Sequence, residues 1–260
     1  WNLATCKNYT MGNRVSGANR HDELRRKLKS KTLFLNTIAE FLAAIIFSAL
    51  YFIFISRYLS DDFGKDYIEL SFSVGLAFFA AIYIPFHTYR IHVIPFISLI
   101  TALRKRDPMI LVYKIPAQLL GSYIGVLIFN AINNSAAGVN IEDFQMINLL
   151  DPKLSIFINT LTAAILCYGF YMIRVLFQAK QLSGTIYLSL YYAVLFSLTA
   201  FFSTVSALNP FGYLMYDLTE NHSMYDQAFL FLLFNHIVMP MAGVALLFLY
   251  IKPKVLVQKN

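Results

Sequence analysis

Apolar residues come in long runs, and polar residues gather in the gaps between them. Six runs, roughly 33–56, 68–88, 109–132, 154–177, 183–205 and 227–251, are largely free of charge. A helix needs about 20 mostly apolar residues to cross a bilayer core, so each run predicts a spanning helix. Two shorter apolar runs interrupt the series. Ile91–Leu103 follows the second span and Ala207–Leu218 follows the fifth. Neither is long enough to cross a ~30 Å core. Each carries a proline near its start, Pro95 after Ile94 and Pro210 after Asn209, and proline suits the first position of a helix. The chain reads as two halves, each of three spans and one short re-entrant helix. The two short helices fall on opposite faces, which makes an inverted repeat of the kind that builds a site at the midplane. Broken helices at that depth are tolerated only inside protein or beside water. Two facing helix N-termini there would present open N–H groups and positive dipole ends.

Composition agrees with a lipid solvent. The chain is 58% hydrophobic and 13% charged, against about a quarter charged in soluble domains. The net charge of +7 could suggest nucleic acid, but its distribution excludes that. With the N-terminus inside, only Arg57, Lys65 and Lys153 of the 21 lysines and arginines fall in the outside gaps. Ten acids, among them Asp61, Asp62, Glu142, Asp217 and Asp226, fall outside. This is the positive-inside pattern, and it puts both termini on the cytoplasm- or matrix-like face. The expected division is a polar basic arm at 1–32, one membrane domain at 33–252, and a basic tail at 253–260. The run Arg25–Lys31 reads as an anchor for anionic lipid. A basic leader of the import type is opposed by Asp22 and Glu23. Cys6 and Cys167 make no disulfide framework, and Cys167, in mid-span, reads as a packing residue.

Several residues then match one family. Ala39-Glu40-Phe41-Leu42 opens the first span, and Gln118, Gly121 and Gly125 stand on the third. His87, His92 and Ile94-Pro95-Phe96 lie at the first short helix, Asn209-Pro210-Phe211 at the second, and Pro240 and Gly243 in the sixth span. In this order and at this spacing they resemble the signatures of the aquaporin, or major intrinsic protein, family over about residues 33–252. The resemblance implies an all-α membrane protein with six transmembrane helices and two re-entrant half-helices.

The departures from the family pattern carry as much information. Ile94 stands where the family has a pore asparagine, and isoleucine can neither cap a helix nor offer an amide. Phe96 and Phe211 replace alanines that meet at the centre, so two rings would crowd it. The filter arginine is Gly212, and the other filter positions align with Val74, Ser197 and Ser206, which implies a wide outer filter. Glu40 reads as an intramembrane holder of the first loop, since a charge at that depth is costly and needs partners. Gln118, His87 and His92 join it as loop-holding residues. Asn159 stands where the family has a second such glutamate. Asn209 is read as a pore-lining donor or a plain N-cap, and Arg90 as a latch on the inner mouth or a snorkelling headgroup contact. His236 reads as a core histidine.

No metal-spaced Cys/His cluster, phosphate loop or nucleophile motif occurs, so the reading is not an enzyme, with no cofactor and no metal. Two functions remain. One is a passive channel for water or small neutral solutes, a homotetramer in the lipid bilayer by the resemblance. The other is a non-conducting structural subunit among other membrane subunits, for example in the mitochondrial inner membrane; the plasma membrane is the alternative location.

Overall fold

In the computed structural model the described residues are 32–58, 67–85, 91–136, 152–176, 181–201, 208–219, 230 and 233–250. The arm at 1–31 and the tail from 251 lie outside them, as do His87, Arg90 and Ser206. The elements are α1 (Thr32–Tyr58), α2 (Tyr67–Tyr83), α3 (Pro95–Lys105), α4 (Met109–Ala136), α5 (Pro152–Leu176), α6 (Gln181–Phe201) and α7 (Pro210–Thr219). A π-helical turn, Phe234–Val238, runs directly into α8 (Met239–Tyr250). Within α1, α4, α5 and α6 are four segments long and apolar enough to cross a membrane. The other two apolar helices are shorter, Ile68–Tyr83 and Phe234–Phe248. The second apolar run therefore stops being helical before the 88 expected from its hydropathy, with a turn at Ile84 and Pro85; a proline there cannot donate to the helix.

The two short runs form short helices. α3 has 11 residues, about 16 Å at the helical rise, and α7 has 10, about 15 Å. Both begin on their prolines. Their surroundings are protein rather than lipid: α3 packs on α4, α5 and α8, and α7 on α4 and the π-turn. Burial agrees, since every residue from Pro210 to Asp217 is buried.

Small residues set how closely the long helices approach. Lipid is as apolar as leucine, so helices in a bilayer associate through close packing and polar contacts. At Gly121 an added Cβ would lie 2.5 Å from the Phe41 carbonyl oxygen and 2.8 Å from Ala44 Cβ. At Gly125 it would lie 2.7 Å from the Ile45 carbonyl oxygen. This Gly-x-x-x-Gly pair lays α4 directly on the backbone of α1. The second half repeats the device once, where Gly243 of α8 receives Thr160 of α5 at 2.2 Å from the same imagined Cβ. Between the halves, Gly75 of α2 meets Ala193 of α6 at 2.8 Å. The correspondence extends to polar partners. Gly121 lies as far beyond Lys114 as Gly243 lies beyond His236, and both pairs serve the helix that opens their half.

Gly121→Val would push a branched side chain into the α1 backbone. Overpacking of this kind costs about 1–3 kcal/mol, so the variant should melt at a lower temperature than the wild type in detergent. An unchanged melting temperature would show that α1 and α4 do not rely on this crossing.

Candidate functional site

The first re-entrant loop is held by one carboxylate. Glu40, on α1, is fully buried. It accepts the backbone N–H of His92 at 3.0 Å and that of Val93 at 2.6 Å. It also accepts Gln118 Nε2 at 2.7 Å and Lys114 Nζ at 2.5 Å, both from α4. A buried carboxylate is tolerable only when its oxygens are answered by donors and its charge by a cation, and here both are. The loop bends sharply to reach it. Val93 has φ 65°, a conformation that a β-branched residue adopts only under constraint, and the 2.6 Å bond to Glu40 supplies that constraint. On the other side, Arg174 of α5 donates Nη2 to the Ile91 carbonyl at 2.6 Å.

Behind the loop the hydrogens can be assigned in sequence. Thr101 donates its hydroxyl to the Ile97 carbonyl at 2.7 Å, so toward His92 Nε2, 3.4 Å away, it can only accept. That places a proton on Nε2 and leaves Nδ1 to accept from Ser98 Oγ at 3.0 Å. Gln118 Nε2 donates to the same Ser98 oxygen at 3.0 Å. A neutral His92 with its proton on Nε2 fits these contacts, while Gln118 Oε1 is buried with no partner among the described residues. Ile94 then starts α3 with no side-chain cap, and it is buried.

The second short helix starts differently. Asn209 Oδ1 accepts the Gly212 N–H at 3.1 Å, an N-cap bond to the third helical residue. Gly212 makes room for it, since a Cβ there would lie 2.3 Å from Asn209 Nδ2. Nδ2 itself is buried with no hydrogen-bond partner among the described residues. On α5, Asn159 is fully buried. It donates Nδ2 to Asn235 Oδ1 at 3.2 Å and lies 3.0 Å from His236 Nδ1. Both partners sit on the π-turn, whose wider winding brings two consecutive side chains inward. Asn159 therefore serves the last helix through its described bonds; the loop at 202–207 lies outside the described residues.

Rings from α1, α2, α6 and α7 pack against one another. Phe78 and Tyr192 stack at 4.3 Å, and Phe47 stands edge-on to both at 5.6 and 5.7 Å. Tyr51 meets Phe196 at 5.9 Å and Tyr213 at 6.0 Å, edge-on in each case. Phe52 continues the cluster to Tyr213, Tyr216 and Phe129. Tyr192 donates its hydroxyl to the Leu208 carbonyl at 2.9 Å, tying the cluster to the start of the second short helix. Edge-to-face and offset pairs are the favoured ring geometries, each adding about 0.5–1.5 kcal/mol beyond the area buried. Tyr51, Tyr192 and Phe196 are 0% exposed, and Phe47 and Phe78 are 1% exposed.

Of the expected site residues, Glu40, His92, Gln118 and the Ile94–Pro95 junction come together at the first loop. Phe96 and Phe211 are both buried at the starts of their helices. Of the expected filter positions, Ser206 lies outside the described residues. Val74 is 0% exposed, Gly212 lies against its own cap, and Ser197 lines an outward groove between α2 and α6 with Phe72, Val194 and Leu198. Sequence reasoning missed Lys114, Arg174, Ser98 and the ring cluster. Lys114 had a signal, because it stands one helical turn before Gln118 and so on the same face, where a charge at Glu40 needs a cation.

No family model matches the sequence, and no curated protein sequence matches it. Among solved structures the chain is similar to the X-ray structure of the aquaglyceroporin from Plasmodium falciparum. The TM-score is 0.66 at 14% identity, over 86% of this chain and 97% of that one. At that identity the likeness shows the fold, so the chain is a helical membrane protein of aquaporin-like fold.

Glu40→Gln would leave Lys114 charged and nearly buried without its carboxylate. Breaking a buried pair from one side costs about 3–5 kcal/mol, and thermal melting in detergent should show it as a large drop. Adding Lys114→Met should recover part of the loss. A double variant no more stable than the single one would contradict the pairing.

Proposed function

We propose that this chain keeps an aquaporin-like architecture without an open path, and that it serves as a structural subunit bound to other membrane proteins. The observation that carries this reading is the ring-filled centre. A water path needs a radius of about 1.4 Å, and the side chains lining it would bear water-accessible surface. Tyr51, Tyr192, Phe196 and Val74 bear none. The altered signatures point the same way. Ile94 offers no amide, and Phe96 and Phe211 stand where small residues would leave room. The positive-inside pattern supports both termini on the cytoplasm- or matrix-like face, in the mitochondrial inner membrane or the plasma membrane.

A second reading is a channel for water or small neutral solutes held shut by the same rings, as a homotetramer. The buried Nδ2 of Asn209, which has no partner among the described residues, favours it. Leaving a buried donor unmade costs about 1–3 kcal/mol, and a solute oxygen in the path would recover that.

Stopped-flow light scattering on liposomes separates the two. With the purified chain inserted, shrinkage under sucrose and under glycerol steps should be no faster than in empty liposomes, while a water channel prepared in parallel shrinks them quickly. Shrinkage well above the empty control for either solute would overturn the structural reading.

A further inference from the structure

We infer that the end of the bundle carrying the α3–α4 turn is a binding site for the phosphate of an anionic phospholipid. α3 ends in Arg104, Lys105 and Arg106, all exposed. The guanidinium carbon of Arg104 lies 4.4 Å over the ring of Tyr171 on α5, so its flat face is occupied and its N–H edge is left for a ligand. One helical turn along α5, Arg174 lies 4.6 Å over the Phe170 ring and holds the Ile91 carbonyl. The site is thus framed by two helices.

Among the described residues, Glu40 and Asp107 are engaged elsewhere. Glu40 is buried and paired with Lys114. Asp107 accepts the Met109 N–H at 3.2 Å and starts α4. Arg104 and Arg106 make no ion pair among the described residues. The backbone of the turn is self-sufficient, with Asp107 N–H bonded to the Ala102 carbonyl at 3.0 Å and Arg106 N–H to Leu103 at 3.3 Å. The helix end therefore does not draw on the cationic side chains for its carbonyls.

Arg106 sharpens the case. It sits in the left-handed region at φ 52°, ψ 40°, where glycine closes a helix at least cost. A cation stands there instead, at a conformational cost, and it extends a run of three positive charges. Beside this cluster, Met109, Val112 and Tyr168 are exposed apolar or amphipathic side chains on α4 and α5. They offer a surface for acyl chains just beneath a headgroup held by the arginines, the arrangement expected for lipid rather than for a dissolved anion.

The test uses the full chain in detergent with equimolar phosphatidylglycerol and phosphatidylcholine, read by native mass spectrometry. The wild type should retain phosphatidylglycerol over phosphatidylcholine by about tenfold or more, and Arg104→Gln/Arg106→Gln should bring the two near parity. Arg106→Gly suits the backbone and keeps the fold, and it should lose part of the preference. Inorganic phosphate at the lipid's concentration should displace nothing. Equal retention of both lipids by the wild type would overturn the proposal, as would an undiminished preference in both variants. Displacement by inorganic phosphate would assign the site to a free anion instead.

Discussion

A carboxylate buried in a membrane-spanning helix has to be answered, and in this chain the answer to Glu40 organises the first half of the fold. Its oxygens take two loop amides, one side-chain amide and one ammonium. Those four bonds fix the loop against α1 and α4 together. They hold Val93 in a backbone conformation it would not choose, and they point the chain into α3 without any cap from Ile94. The approach of α4 to α1 at Gly121 and Gly125 brings Lys114 and Gln118 within reach. Packing and electrostatics are therefore one device, because the glycines set the helix separation at which the ion pair closes.

The second half repeats the geometry with weaker chemistry. Asn159 stands where Glu40 does, and His236 where Lys114 does, but the bonds are amide to amide and amide to imidazole. Asn159 carries no charge, so this contact needs no ion pair. Its short helix is capped by its own Asn209 instead. The two half-helices are thus anchored by different means, the first by a carboxylate on a neighbouring span and the second by its own cap together with the Tyr192 bond to Leu208. The rings of α1, α2, α6 and α7 pack against one another in favoured edge-on and stacked geometries.

Much of the architecture was legible in the sequence because bilayer thickness makes run length meaningful. Long apolar runs became helices, and the two proline-led short runs became the two short helices. The end of the second run was misjudged, since hydropathy continues past Tyr83 while Pro85 halts the helix. The ring cluster was not legible. In a helix that is apolar all round, tyrosines and phenylalanines facing the centre look no different from those facing lipid. Tyr51 and Tyr168 illustrate this, one fully buried and the other 63% exposed, both in unremarkable runs. Ser197 lines the groove beside α2, a placement that hydropathy alone does not specify. Lys114 was counted toward the basic face, and only contact with Glu40 reveals it as a partner.

The central claim is that the middle of the bundle is closed by side chains. An electron cryo-microscopy map of the protein in a lipid nanodisc, at a resolution that shows ordered water, tests it most directly. The account predicts continuous ring density from Phe47 through Tyr192 and Tyr51 to Tyr213, with no file of water between Ile94 and Asn209. An unbroken chain of ordered waters running past those rings from one face to the other would contradict it.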